Sequence, residues 1–532
     1  MRTAVVSLVA CLLACHGDPT TDTTDTDTVS VATLALVDVM PPNGATEVAL
    51  DAAVRVTFAE GVDIDPATVD DDTLFVYDPV SASKLVGTYD VDGHEVVFTP
   101  FAPLRRATEL VGTVTPGLAT LDGASLDETA TWTFRTLPTV GELDPGFGSA
   151  GLVVTELSDA CTVAYDMRVL PNDKVLVVGY SDQEGVNGPV LARFEPDGTL
   201  DASFAGGGVV ELTLGPDNDA WLTAVDVDAQ GAIVAAGTVL GSGSRQAGFV
   251  MRFMASGLPD ASFGTGGVVV LPFAEEVVLY GVAAGDGGVV YASGDIIGGD
   301  ARRGVIFAVD PEGAFVPEFG GGLPLELALG HGWDYLRDLV RDGDGNLLVG
   351  GGISIDVGGE VRAVPFVGRF TASGTLDESY QGGLSAFAMP GPAFVSTIAL
   401  DRDGGLVLGI HEEGAGPPLR GSVARYTAEG LLDEGFGGTG LVQVGQGVHV
   451  RGVTEDADGA VIVGGWDESS VDHEALVARY HVDGTAAFVR RFGSSGTRRH
   501  LHGLGVQTTG RVVGAGSSRA AGPEGLMLIG VW

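Results

Sequence analysis

The stretch "ARFEPDGTLDASFAGGGVV" occupies Ala192 to Val210. It returns as "MRFMASGLPDASFGTGGVVV" from Met251 and as "GRFTASGTLDESYQGG" from Gly368. The aromatic residue inside the phrase recurs at Phe147, Phe204, Phe263, Phe319, Tyr380, Phe436 and Phe492, in steps of 56 to 61 residues. Between these anchors lies a second recurring text, an apolar run that ends in glycine. It covers Asp173–Gly179, Gly231–Gly237, Gly288–Gly294, Gly345–Gly351, Gly404–Ile410, Gly459–Gly465 and Gly510–Gly516, with Ile410 replacing the final glycine once. The count is seven copies.

Each copy divides into four short strands. In the second these read "LTAVDVD", "AIVAAGT", "AGFVMRFM" and, after the "DASFG" turn, "GVVVLPF". Repeats of this length with four strands apiece indicate propeller blades, whereas β-solenoid coils are much shorter. The phase of the text predicts how the ring closes. The run opens with fourth-strand text, Gly151–Leu157, and its final third-strand text is Gly525–Trp532. Pairing the two completes the last blade and leaves no unpaired edge between first and last copies. The expected fold is all-β: a small β-sandwich followed by a seven-bladed β-propeller closed by its own N-terminal strand.

Composition agrees. The 532 residues exceed one core's usual size, 83 are glycine, and 45% are hydrophobic, which suits short strands and tight turns. Lysine and arginine total 28 against 71 acidic residues, a net charge of -43. Such a surface repels phosphate backbones and anionic headgroups, so nucleic acid is excluded as a partner and membrane contact is confined to a covalent anchor.

That anchor is predicted at the N-terminus. Arg2 precedes an apolar run from Ala4 to Ala14, too short to span a bilayer and suited to a signal-peptide core. Leu12-Leu13-Ala14-Cys15 resembles a bacterial lipobox, which implies lipidation of Cys15 and residues 1–15 as a lipoprotein signal peptide. The Asp/Thr-rich residues 16–33 read as a disordered tether. The resemblance implies an outer-membrane lipoprotein, with secretion as the alternative. Cys161 is then the single remaining thiol, without an internal disulfide partner.

Residues 34–137 alternate apolar and polar positions with turns every 8–12 residues, the pattern of a β-sandwich. Pro42-Asn43-Gly44-Ala45, Phe98-Thr99-Pro100 and Trp132-Thr133-Phe134 resemble the motifs of bacterial Ig-like domains, which implies a spacer or adhesion module. In the ring, residues 143–532, Arg193-Phe194, Asp197-Gly198, Leu200-Asp201 and Phe204-Ala205-Gly206 resemble the delta-60 repeat. That resemblance implies a propeller and no particular activity.

Arginine and aspartate lie eight residues apart as Arg193 and Asp201, Arg252 and Asp260, Arg369 and Asp377, and Arg425 and Asp433. Both are absent together in the third copy, at Ala308 and Val316, so they are expected to form ion pairs that fix the loop. Asp342 with Asp344, Asp401 with Asp403, and Asp456 with Asp458 sit in D-x-D-G runs. These could hold calcium, but Asp-Gly is also a favoured hairpin turn and the bidentate glutamate of an EF-hand is missing. The turn reading is preferred, and no cofactor is expected.

Loops joining second to third strands, and fourth to the next first strand, share one face of a propeller. Their texts vary while those of the opposite face are uniform, which marks the variable face as the binding face. The candidates there are Trp221, Arg302, Arg303, His331, Trp333, Asp334, Trp466, Asp467, His473, Arg498, Arg499 and His500. Aromatics beside acids and arginines suit a protein or glycan ligand. No P-loop, H-E-x-x-H or G-x-S-x-G is present. The expected function is therefore a non-enzymatic binding or adhesion platform, monomeric and at the cell surface. A polysaccharide lyase or glycosidase and a purely structural envelope component are the alternatives.

Overall fold

The computed structural model describes residues 34–532 apart from 80, 107, 138, 158–160, 216–217, 242–244, 300, 328, 413–418 and 521. The predicted signal peptide, Cys15 and the tether lie outside the described residues. The chain divides into two compact units at Pro138/Thr139.

The first unit is a sandwich of two sheets. One is ordered Leu36–Met40, Val54–Phe58, Glu95–Pro100, Gly87–Asp92; the other Ala45–Val48, Ala130–Thr136, Glu109–Val114, Leu74–Asp78, Ser83–Lys84. The alternating residues read from the sequence fill its core: Val54, Val56, Phe58, Phe98, Trp132 and Phe134 are all buried. Asn43 latches the entry strand, its Oδ1 accepting the Thr133 N–H at 3.0 Å.

Among the described residues, the second unit holds seven four-stranded antiparallel sheets. Blades 1 to 6 are built from consecutive strands. Blade 7 is ordered Leu152–Thr155, Glu524–Val531, Val512–Arg519, Arg498–Val506, so its outermost strand comes from the start of the ring. Leu152 pairs with Ile529, Val153 with Leu528, Val154 with Met527 and Thr155 with Leu526. The closure predicted from phase is the one observed.

The repeated phrase locks each blade to the next. Phe147, Phe204, Phe263, Phe319, Tyr380 and Phe436 are buried. Phe204 of blade 1 lies under Gly257 of blade 2, where a Cβ would stand 2.5 Å from the ring. The Ala205 N–H donates to the Ser256 carbonyl at 2.8 Å across the same seam. Arg193 covers the other side of Phe204 at 4.3 Å and meets Asp201 at 2.6 Å. The remaining ion pairs form at 2.9 Å (Arg252–Asp260), 2.7 Å (Arg369–Asp377) and 2.8 Å (Arg425–Asp433).

Two blades solve the problem differently. In blade 6 the phrase is cut short, and the anchor role expected of Phe492 passes to Phe488. Phe488 is buried against Gly141, whereas Phe492 is half-buried at the end of the outer strand. Arg479 there pairs with Asp456 at 2.7 Å and Asp458 at 3.2 Å instead of a phrase aspartate. In blade 7, Gly530 stands where five of the other blades carry arginine, and Arg511 reaches Asp144 at 2.6 Å from the neighbouring strand.

The other D-x-D-G aspartates cap their own turns. Asp342 Oδ1 accepts from Asp344 and Asn346, and Asp401 Oδ1 from Asp403 and Gly405. Among the described residues no three His, Cys, Asp or Glu side chains gather as a metal would require.

Asp201 gives the phrase a pH signature. Burial raises its pKa, but hydrogen bonds from Ser203, Lys174 and Arg193 outweigh burial and hold it well below the usual carboxylate value. A depressed folded-state pKa adds stability above the unfolded value of about 4, and that stability is lost as pH falls through the folded pKa. Asp201→Asn is therefore expected to lower the melting temperature at pH 7. The gap from the parent protein should shrink steadily as thermal melts are taken from pH 4 down to pH 2.

Candidate functional site

The inner strands of the seven blades are Thr162–Val169, Asp219–Val227, Glu276–Ala284, Tyr335–Arg341, Ala393–Leu400, Val448–Glu455 and Arg498–Val506. Their centres read "VAYDM", "WLTAV", "VLYGV", "YLRDL", "FVSTI", "HVRGV" and "HLHGL". Every one carries a break in register at the same place, between the second and fourth of these five residues. The third residue is thus unpaired in the ladder: Tyr165, Thr223, Tyr280, Arg337, Ser396, Arg451 and His502. A bulge re-aims the residue it frees.

The recurring text of the second strand explains the bulge. Its final glycine faces the break in six blades, as Gly237 does opposite Leu222. A Cβ on Gly237 would collide with the Trp221 carbonyl, and Gly179, Gly294, Gly351, Gly465 and Gly516 are crowded in the same way. In blade 5 Ile410 takes that position and Gly409 beside it faces Thr397.

All seven bulge residues line one cavity of about 610 Å³ on the propeller axis. Trp221, Phe394, Gln246, Arg302, Asp166 and Asp338 line it as well. A second cavity of about 220 Å³ continues along the axis, past Arg168 and the later halves of the inner strands. Asp166, Asp338, Thr397 and Arg451 border both. The wider chamber therefore lies toward the starts of the inner strands, on the variable-loop side.

Roles within the chamber divide by chemistry. The small bulge residues staple blades together: Thr223 Oγ1 donates to the Leu279 carbonyl at 2.8 Å, and Ser396 Oγ to the Val450 carbonyl at 2.7 Å. Asp166 and Asp338 do likewise with carboxylates. Asp166 accepts from Met167 at 2.7 Å and from Val225 of the next blade at 2.9 Å. Asp338 accepts from Leu339 and from Ile398 of the next blade, both at 2.8 Å. Burial pushes Asp166 up to about 7, with Arg168 pulling the other way, and burial raises Asp338 too.

The large bulge residues face one another through π contacts. Arg337 lies 4.2 Å from the Tyr280 ring and 4.8 Å from Tyr335. Its charge meets Asp295 at 3.4 Å, and Arg302 meets the same carboxylate at 3.3 Å. A belt of rings runs from blade 4 to blade 1: Tyr335, Phe394, His411, His449, Trp466, His502 and Tyr165, with successive centroids 4.5 to 5.5 Å apart. Burial lowers His411 and His500 to about 4 and His502 to about 3, so these imidazoles are neutral at pH 7.

Of the loop candidates, Trp221 and Arg302 line the chamber. Trp466 and His500 belong to the wall of rings, and His473 Nδ1 sits 2.9 Å from His500 Nε2. Others serve their own loops. Asp334 is buried and accepts from Leu329 and Gly330, while Asp467 is buried and pairs with Arg491 at 2.5 Å. Arg303 bridges Glu275 and Glu326, both at 2.8 Å. Arg498 is exposed and donates to the Val471 carbonyl at 3.3 Å, Arg499 is half-buried, and His331 is exposed. Trp333 is 54% exposed and lies outside the chamber lining. Reading loops alone missed the bulge residues. Their signal was present: aligned on the glycine text, one inner-strand column holds Tyr, Thr, Tyr, Arg, Ser, Arg and His, each directly after an apolar residue.

A bacterial Ig-like domain family matches residues 30–136, and a domain of unknown function (DUF5122) beta-propeller family matches residues 170–204. The chain is an Ig-like domain joined to a β-propeller. The Ig-like match points to an extracellular or surface protein. No curated protein matches the chain.

Among solved structures, a protein of unknown function from Bacteroides thetaiotaomicron is 14% identical, with 96% of this chain and 100% of that one covered and a TM-score of 0.31. One of unknown function from Dyadobacter fermentans is 12% identical over 73% of this chain and 100% of that one, TM-score 0.43. A gluconolactonase from Xanthomonas campestris is 14% identical over 74% and 95%, TM-score 0.33. Likeness this distant says nothing about activity.

Proposed function

We propose that this chain is an exported bacterial envelope protein that holds a small ligand in the axial chamber of its propeller without transforming it. The observation that carries the reading is the convergence of all seven bulge residues on one cavity. Its size falls within the range of roughly 300–1,000 Å³ typical of small-molecule sites. Aromatic faces and a few polar groups, as here, are the usual lining. The acids at its floor argue against acid/base chemistry, because Asp166 and Asp338 already accept backbone N–H groups that join blades.

The Ig-like domain serves as a spacer, and the lipobox text ending at Cys15 supports attachment to the outer membrane. The repeat text supports membership among delta-60 propellers. The chain works as a monomer, and the candidate partner is a glycan. Calorimetric titration of the full chain with a panel of neutral and acidic sugars tests the reading. Trp221→Ala is expected to weaken binding at least tenfold while leaving the melting temperature within a few degrees. Binding untouched by Trp221→Ala but lost in Trp333→Ala would move the site to the outer loops. Turnover that disappears in Asp166→Asn would make the protein an enzyme.

A further inference from the structure

Four arginines border the two axial cavities: Arg168, Arg302, Arg337 and Arg451. Three have a carboxylate. Arg168 meets Asp226 at 3.3 Å, and Arg302 and Arg337 share Asp295. Arg451 has no ion-pair or hydrogen-bond partner among the described residues, and its Nε is buried without an acceptor. Its guanidinium lies 5.3 Å from the centre of the Trp466 ring. The residue is half-buried, with Nε enclosed, and the chain carries 71 acidic residues, so a guanidinium left unpaired here is not for want of acids. Leaving such a group unpaired is costly. Burial and the neighbouring charge of Arg337 both disfavour its charged form, which sharpens the cost.

Arg451 also borders both cavities, in a chamber lined by the hydroxyl-bearing Tyr165 and Tyr280 and by the aromatic Trp221 and Phe394. Resting on the axial-chamber reading, we infer that the ligand is an acidic sugar: a hexuronate ring whose carboxylate pairs with Arg451 while its ring lies among the aromatic side chains. A guanidinium takes a carboxylate through two parallel hydrogen bonds. The ring hydroxyls find Gln246 and the tyrosine hydroxyls, which a purely apolar acid would leave unanswered.

The full chain is titrated with galacturonate and glucuronate, and in parallel with galactose and glucose. Uronates are expected to bind at least tenfold more tightly than their neutral counterparts. Arg451→Gln and Arg451→Met should abolish that preference without lowering the melting temperature, since they remove an unpaired charge. Trp221→Ala should weaken both sugar classes together. Equal binding of neutral and acidic sugars by the parent protein overturns the inference and leaves the chamber reading standing. So does a uronate preference that survives in both Arg451 variants, and so does a fall in melting temperature in both, which would make Arg451 structural. Absence of heat with all four sugars overturns the inference as well. If acidic and neutral oligosaccharides are equally silent, the chamber reading fails with it.

Discussion

Replacing the closing strand, Leu152→Gly with Val153→Pro and Val154→Gly, is expected to open the ring. Those residues supply the outer strand of blade 7, and among the described residues no other strand of that sheet borders the outer side of Glu524–Val531. Lost burial and ladder hydrogen bonds together amount to on the order of 5 kcal/mol. The exposed edge should also recruit other chains. A lower melting temperature, a broader transition and species larger than monomer by size-exclusion chromatography are the expected readouts. The informative control is Val209→Gly with Val210→Pro and Glu211→Gly. It destroys an equivalent outer strand, but one whose pairing lies within a single continuous run of blade 1. That variant should melt lower than the parent yet remain cooperative and monomeric. Equal damage from the two would mean that closure adds nothing beyond the loss of one strand.

Phe204→Ala carries the next largest expected effect, a loss of about 3–5 kcal/mol. The ring is fully buried, lies under Gly257 of the next blade and supports Arg193 on its other side. Removing it empties a seam between blades and uncovers the Arg193 guanidinium, which keeps its pairing with Asp201. Phe492→Ala, at the seventh anchor of the sequence pattern, should cost far less, because that side chain is half-buried and Phe488 does its work. Chemical denaturation of both variants measures the difference. Comparable losses would show that the phrase acts through its aromatic residue wherever it stands, and not through the contact with the following blade.

The contrast between those two phenylalanines shows how far the sequence could be read. Blade number and closure were legible because they depend on spacing and phase, which repeat along the chain. The ion pairs of the phrase were legible because both partners vanish together in the third copy, where Ala308 and Val316 stand in their places. The anchor of blade 6 was not. The phrase there loses its turn, and the outer strand Ala486–Phe492 starts directly after a tight loop, which shifts the inward-facing residue by four positions.

The site was legible only in part, for a related reason. Trp221 stands out because the chain has only five tryptophans, and Arg302 because it lies beside a variable loop. Tyr280, Arg337, Arg451 and His502 sit in the middle of strands, where a polar residue in an alternating pattern reads as an outward-facing position. A bulge adds one residue to its strand and so turns the residues beyond it by one place, which an alternating pattern does not register. Only the crowded glycine on the second strand betrays it, and that glycine is explained equally well by a turn until the strands are paired. Arg451 is further hidden because its significance is a missing partner, which no single stretch of sequence displays.

Hydroxyl-radical footprinting of the full chain, with and without a saturating sugar from the titration panel, tests the central claim most directly. Tyr165, Trp221, Tyr280 and Phe394 come from four different blades and share one chamber. They are expected to lose reactivity together when the sugar binds, while the exposed Trp333 reacts as before. Protection of Trp333 with all four chamber rings unchanged would contradict a shared axial site.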